Sequence, residues 1–211
     1  MSSFEPTAFV RANLPAPPAR LLEIGAGEGD LARTLRELGY DVLAIDPDPR
    51  GADVTGVALH ELDEPSESFD AAVAILSLHH VDPLGPSVRR LAEVLNPGAP
   101  LIVDEFDVAA FDLAAAEWWL EQRRTLGGRE EMSAEQLVEE HRGHLHPLDV
   151  ITDELTAHFT PSTPVRGAYL YRWDLGDRFR TAEEELIVRG ELAPVGARFV
   201  VHRASPERAG R

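Results

Sequence analysis

Three glycines and three acids crowd one short stretch, "LLEIGAGEGD", from Leu21 to Asp30. Glycine at every second position, Gly25, Gly27 and Gly29, lets a backbone turn sharply and meet a ligand without Cβ interference. Such a turn also leaves amide N–H groups free beside the start of a helix. Glu23 stands at the end of the apolar run that leads in. A dinucleotide turn is spaced G-x-G-x-x-G and faces a diphosphate. Here Asp30 takes the place of the third glycine, so a diphosphate would meet two carboxylates. A ligand with a cationic part is better matched, and S-adenosylmethionine, with its sulfonium and ammonium, has that chemistry.

Other side chains of a reactive type occur in groups. His79 and His80 follow an apolar run, and an imidazole accepts a proton near neutral pH; packing of one ring in the core is the competing use. His141, His144 and His146 fall within "HRGHLHP". Gly143 is expected to interrupt a helix there, so the rings need not converge, and no metal site is expected. One of them is a candidate substrate-pocket base. Trp118 and Trp119 are neighbours on a predicted helix and point about 100° apart, one toward the core and one toward a cleft. Tyr169, Tyr171 and Trp173 alternate as along a strand, which would put them on one face. Glu105, at the end of an apolar run, is expected on the ligand side, orienting substrate or capping a helix.

These residues need a scaffold. "LLEIG" reads as a strand, Glu28 to Leu38 as a helix stopped by Gly39, and "DVLAID" as the next strand. Strand, helix, strand over so short a span is a βαβ unit with parallel strands. Apolar runs at 69–78 and 100–106 add buried strands around a helix at 83–98. Three helices then follow without strands over 107–164. A strand-like segment at 165–175, a helix at 181–192 and a strand at 197–204 close the chain. The predicted fold is α/β: a doubly wound, mostly parallel seven-stranded sheet with an antiparallel last strand, plus a helical insertion over the ligand edge. Its parts are an N-terminal helix with a proline-rich lead-in (1–20), the core (21–106), the helical cap (107–164), the completing strands and helix (165–204) and a flexible tail (205–211).

The core segments resemble the class I S-adenosylmethionine-dependent methyltransferases. "LLEIGAGEGD" resembles that family's motif I, E/D-x-G-x-G-x-G, at Glu23, Gly25, Gly27 and Gly29. "LAID" is similar to its second strand. "ELDEPSESFDAAVAILSLHHV" resembles the stretch around the fourth strand, and "LAEVLNPGAPLIVDEF" the helix and fifth strand, with Ala99 for a usual glycine. The resemblance implies that Asp46 binds the ribose hydroxyls and Pro47 packs on adenine. It places Ala26, Leu59 and Ile75 around the same cofactor, and His80 near it as the candidate general base. Many members read the adenine amino group with an acid where this chain has Ala58 and Leu59. That task would pass to backbone near Leu59 or to Glu61.

Composition narrows the classes. The chain has 211 residues, no cysteine and a formal net charge of −17. Thiolate chemistry is removed, and the negative field disfavours nucleic-acid partners. No apolar run spans a bilayer, no secretory pattern opens the chain, and a cytoplasmic location is expected. The expected function is methyl transfer from S-adenosylmethionine to a small-molecule acceptor, with S-adenosylhomocysteine as product. The alternatives are a non-catalytic S-adenosylmethionine-binding regulatory module and an NAD(P)-dependent oxidoreductase. Oligomeric state is not encoded in any pattern found.

Overall fold

Short apolar runs form the centre of a twisted sheet because helices cover both of its faces. The computed structural model describes residues 6–129 and 131–205. The tail expected over 205–211 lies, apart from Ser205, outside the described residues, as do the first five positions. After helix α1 (Pro6–Asn13) come β1 (Arg20–Ile24), α2 (Asp30–Glu37), β2 (Asp41–Asp46) and the two-residue β3 (Thr55–Gly56). Then follow β4 (Ala71–Ile75), α3 (Leu84–Val94) and β5 (Pro100–Phe106). The sheet is completed by β6 (Val165–Gly167) and β7 (Gly196–His202), in the order β3-β2-β1-β4-β5-β7-β6. β1, β2, β3, β4 and β5 are parallel neighbours, and β7 runs antiparallel to both β5 and β6. The seven-stranded architecture expected from the pattern is the one observed.

The topology reverses direction at β1, which has β2 on one side and β4 on the other. In open α/β sheets the crevice beyond the carboxyl ends of the strands, at such a switch, is where ligands bind. Gly25, Asp46, Leu76 and Phe106 all arrive at that edge.

The helical segment divides. α4 (Leu113–Thr125) and α5 (Ala134–His144) pack on each other and share an apolar cluster with Phe106, Phe111 and Leu170. α6 (Leu148–Thr156) instead buries Leu148, Ile151 and Leu155 in the main core beside Val88 and Leu91 of α3. Ser133 and Gln136 form a reciprocal capping box that starts α5. Gly143 does not end that helix: the α-helix continues to His144, with no atom crowding the glycine.

The segment 168–175 departs from the strand expected for it. Leu170–Arg172 is a 3₁₀ turn that leads toward α7 (Arg180–Val188). Two buried anions account for this. Glu183, fully buried on α7, accepts the amides of Tyr169, Leu170 and Tyr171 at 2.7, 2.9 and 2.8 Å. Three successive amides aimed at one carboxylate cannot alternate as a strand requires. Asp104 of β5 then pairs with Arg172 at 3.0 Å and with Arg198 at 2.9 Å.

Candidate active site

The glycine turn is tight for three different reasons. A Cβ on Gly25 would lie 2.4 Å from the Ser77 Cβ, so β1 and the β4 exit approach at van der Waals limits. A Cβ on Gly29 would lie 2.9 Å from Val54. Gly27 alone faces open space, with only Arg50 Nη2 at 3.7 Å, and its φ of +54° supplies the bend. The expectation of free amides holds only in part, since Glu28, Asp30 and Leu31 have no amide hydrogen bond among the described residues, while four others are engaged. Gly25 and Ala26 both donate to Ile45 O, at 2.9 and 3.0 Å, and Gly29 donates to Ala26 O at 2.8 Å. The Gly27 amide donates to Asp46 Oδ2 at 2.9 Å. With these amides engaged, the glycines themselves offer no donors to a diphosphate, and Glu28 and Asp30 beside them would repel one.

Beyond the turn lies a cavity of about 670 Å³, inside the range of roughly 300–1,000 Å³ typical of small-molecule and cofactor sites. Asp46 stands in its wall. Oδ2 is held by Gly27 and Oδ1 by the Asp48 amide at 2.9 Å. Each carboxylate oxygen has two lone pairs, so the pair of bonds fixes the group and still leaves acceptor capacity on both oxygens. Pro47, Ala58 and buried Leu59 border the same cavity. Glu61 is exposed and does not. His60, missed in the sequence, does: it follows directly the two positions that lack the family's acid.

The distribution of unsatisfied polar atoms fits a polar ligand here. Among the described residues, the buried side-chain atoms without a partner are Glu23 Oε2, His60 Nδ1, Ser68 Oγ, Ser77 Oγ and Ser87 Oγ. His60, Ser77 and Ser87 line the large cavity. Glu23 lines an adjoining cleft of about 320 Å³ with Ala26, Ile75, Glu28 and Asp30. A buried unpaired polar group costs about 1–3 kcal/mol, and four of these five atoms belong to residues that line the two spaces. Burial pushes the Glu23 carboxyl up to about 7, against the opposing pull of the Ala32 amide and Arg36. Arg50 borders both spaces. Leu76, with φ +54°, ends β4 in the left-handed region, a strained conformation of the kind that collects at functional sites.

A smaller cavity of about 260 Å³ adjoins on the cap side, and His80 lines both spaces. Its wall is made of rings and imidazoles from four distant segments. Phe106 comes from β5, His141 and His144 from α5, and Tyr169 and Trp173 from the turn that Glu183 holds. His79 completes it from the β4 exit. Glu105 is fully buried, and of the two expected uses it takes the capping one, at the start of the 3₁₀ turn Leu78–His80. Its Oε1 accepts the Ser77 and Leu78 amides at 3.0 and 2.6 Å, and its Oε2 contacts His79 Nδ1.

The remaining aromatic candidates sort by depth. Trp119 is buried, stacks on Trp173 with centroids 4.4 Å apart, and donates from Nε1 to Trp173 O at 2.8 Å. Trp118 packs on the cap's apolar cluster. Neither lines the cavity, because the turn at 170–172 brings Trp173 there instead. Tyr169 and Trp173 face the cavity while Tyr171 lies toward Arg180, so the three do not share a face. Burial pushes the Tyr169 phenol up to about 12, which keeps it a hydrogen-bond donor. His141 Nδ1 donates to Leu137 O at 2.8 Å and presents Nε2. His146 is used structurally, with Nε2 donating to Val81 O at 3.0 Å. Burial and the neighbouring His79 and His141 lower the His80 pKa, so it is neutral at neutral pH. Among the described residues no cluster of His, Asp and Glu is arranged to hold a metal ion. No helix among them is long and apolar enough to cross a membrane.

Comparison with known proteins bears on this geometry. A family model described as a methyltransferase domain matches residues 5–143. An uncharacterized methyltransferase of Mycobacterium bovis is 38% identical over 98 residues, 42% of this chain and 40% of that protein. A ubiquinone biosynthesis O-methyltransferase of Azorhizobium caulinodans is 32% identical over 120 residues, 49% of this chain and 47% of that protein. The chain thus spans about half the length of the curated relatives it matches. An S-adenosylmethionine-dependent methyltransferase from Mesorhizobium loti has the same fold, with a TM-score of 0.61 and 20% identity over 95% of this chain and 99% of that one. So does the Burkholderia thailandensis 1,6-didemethyltoxoflavin-N1-methyltransferase, solved with 1,6-didemethyltoxoflavin and S-adenosylhomocysteine. Its TM-score is 0.56 and its identity 20%, over 95% of this chain and 77% of that one. The nicotinamide alternative is set aside, and the chain belongs to the class I S-adenosylmethionine-dependent methyltransferase family.

Proposed function

We propose that this chain catalyses methyl transfer from S-adenosylmethionine to a small-molecule acceptor held in the ring-lined cavity. The observation that carries the proposal is the junction at His80 of two spaces of different chemistry. One has carboxylates and unpaired polar atoms; the other has aromatic walls. When bound, S-adenosylmethionine supplies a methyl carbon on a positively charged sulfur. Asp46, already fixed by two amides, receives the ribose hydroxyls without reorganisation. The His60 ring and the backbone beside Ala58 and Leu59 meet the adenine edge. Glu23, Glu28 and Asp30 offer negative charge to the ammonium, and Arg50 offers positive charge to the carboxylate. α5 walls the acceptor side with His141 and His144, and the rings of Phe106, Tyr169 and Trp173 orient the acceptor. Alignment of this kind is the principal contribution a protein makes to such a displacement.

The relatives' names favour a small acceptor: one is an O-methyltransferase of ubiquinone biosynthesis, and a structural neighbour is an N-methyltransferase. The net charge of −17 and the small size of the cavity favour the same class over a nucleic acid. Calorimetry with S-adenosylhomocysteine tests the cofactor half. A methyl-transfer screen over small alcohols, phenols, amines and acids tests the other half. Binding without turnover on any of them would favour the regulatory-module alternative.

A further inference from the structure

Four imidazoles line the acceptor cavity, and they are not equivalent. His141 has its Nδ1 on a neutral carbonyl, that of Leu137. The His80 ring has no hydrogen bond among the described residues. His144 lies at the end of α5, three residues or nearly one helix turn beyond His141, and is exposed. His79 alone among the four has a carboxylate partner, fully buried Glu105. The Nδ1 contact turns the opposite edge of the ring, Nε2, away from Glu105. No hydrogen bond of Nε2 is found among the described residues, and it is not one of the sealed, unpaired atoms. It therefore opens on the cavity that His79 lines.

We propose that His79 is the base of the reaction, held by Glu105, and that the acceptor is a neutral planar ring bearing an acidic hydroxyl or ring N–H. This rests on the function proposed above and names the substrate class of the same site. Glu105 is a positioning residue: its charge balances the imidazolium that forms, which Leu137 O cannot do for His141. The other groups facing His79 are His80 on its own turn, Glu140 and His141 of α5, and Tyr169. In balance, the acceptor's proton goes to His79 Nε2 and its electron pair becomes the new bond to the methyl carbon. The pair of the broken carbon–sulfur bond leaves with the sulfur. The imidazolium then returns its proton to solvent.

Size and charge choose the acceptor. A cavity of about 150 Å³ accommodates benzene, so about 260 Å³ admits one substituted ring. Phe106, Tyr169 and Trp173 offer faces and edges to such a ring, with their centroids 5.0 to 6.4 Å from the Phe106 ring. Among the described residues no Lys or Arg lines the cavity, so a carboxylate acceptor would find no counter-ion among them.

The probe is 4-nitrophenol, whose phenolate absorbs visibly, added to the intact chain with S-adenosylhomocysteine present. Bound to the wild type, its ionisation midpoint should fall by about one to three units, the range an adjacent opposite charge produces. His79→Gln should abolish the shift and Glu105→Gln should shrink it, while His80→Gln should retain it. Glu105 also holds two amides, so its variant could misfold; imidazole nitrogen NMR of the wild type covers that case. It should show the proton of neutral His79 on Nδ1. A 4-nitrophenol that does not bind at millimolar concentration, or binds with an unshifted midpoint, overturns the proposal. So does a shift lost in His80→Gln but kept in His79→Gln, or a neutral His79 with its proton on Nε2. Failure of S-adenosylhomocysteine to bind would instead remove the cofactor reading beneath it.

Discussion

The cofactor edge and the acceptor cavity touch at His80 yet are built in opposite ways. The cofactor edge is local: Glu23, the glycine turn and Asp46 lie on two adjacent strands and the turn between β1 and α2, within one βαβ unit. Its ligand groups are carboxylates held by backbone amides of that same unit. The acceptor cavity joins four segments separated by tens of residues, and its walls are rings. What fixes those rings lies deeper. Glu105 clamps the turn carrying His79 and His80, and Glu183 clamps the turn carrying Tyr169 and Trp173. One edge is thus set by a short local motif, whereas the other depends on rings that two distant carboxylates hold in place.

The largest test of that separation is Asp46→Ala. It removes a charged acceptor from the ribose and leaves the Gly27 amide unpaired. Affinity for S-adenosylhomocysteine should fall about a hundredfold, on the order of 3 kcal/mol. Calorimetry measures it, and binding of an aromatic probe in the other cavity should be unaffected.

The converse change is Glu183→Gln. A neutral amide side chain cannot accept three amide donors, and its NH₂ meets one of them. Stability should drop by about 1–3 kcal/mol, read as a lowered Tm. In the folded fraction acceptor KM should rise while cofactor affinity stays. A parallel loss of cofactor affinity would show that the two sites are one unit.

Within the turn the glycines should rank by their surroundings. Gly25→Ala drives a Cβ into Ser77 and should be the most damaging, followed by Gly29→Ala against Val54. Gly27→Ala meets only the end of Arg50 and should cost about 1 kcal/mol of backbone strain. Denaturant midpoints order the three; an equal loss at all three positions would deny the distinct packing roles.

The smallest effect concerns Glu23. Its carboxyl, raised to about 7 by burial, binds its proton more tightly folded than unfolded. Stability should therefore fall as pH rises from about 4.5 through about 7, since the unfolded state releases that proton first. Glu23→Gln should flatten that slope. A cationic ligand favours the ionised form, so affinity for S-adenosylhomocysteine should rise with pH across the same interval.

Legibility in the sequence follows the same division. The glycine spacing, Asp46 and the strand runs were readable because each is a local pattern with a local cause. His60 was detectable as the polar residue beside the missing acid. Tyr169, Tyr171 and Trp173 alternate like a strand, yet a carboxylate twelve to fourteen residues later gathers their amides into a turn. Gly143 looked like a helix stop, but capping and packing carry α5 past it. Glu105 occupies the expected strand end, and only the fold shows its side chain turned inward onto Ser77, Leu78 and His79.

The proposed function depends on a cofactor cleft on Asp46 that opens at His80 into a separate acceptor cavity. A crystal structure of the complex with S-adenosylhomocysteine tests it most directly. The ribose hydroxyls should rest on the Asp46 carboxylate, with the sulfur turned toward the cavity of His79, Phe106 and Trp173. A nucleoside bound away from Asp46, or a sulfur facing away from that cavity, would contradict it.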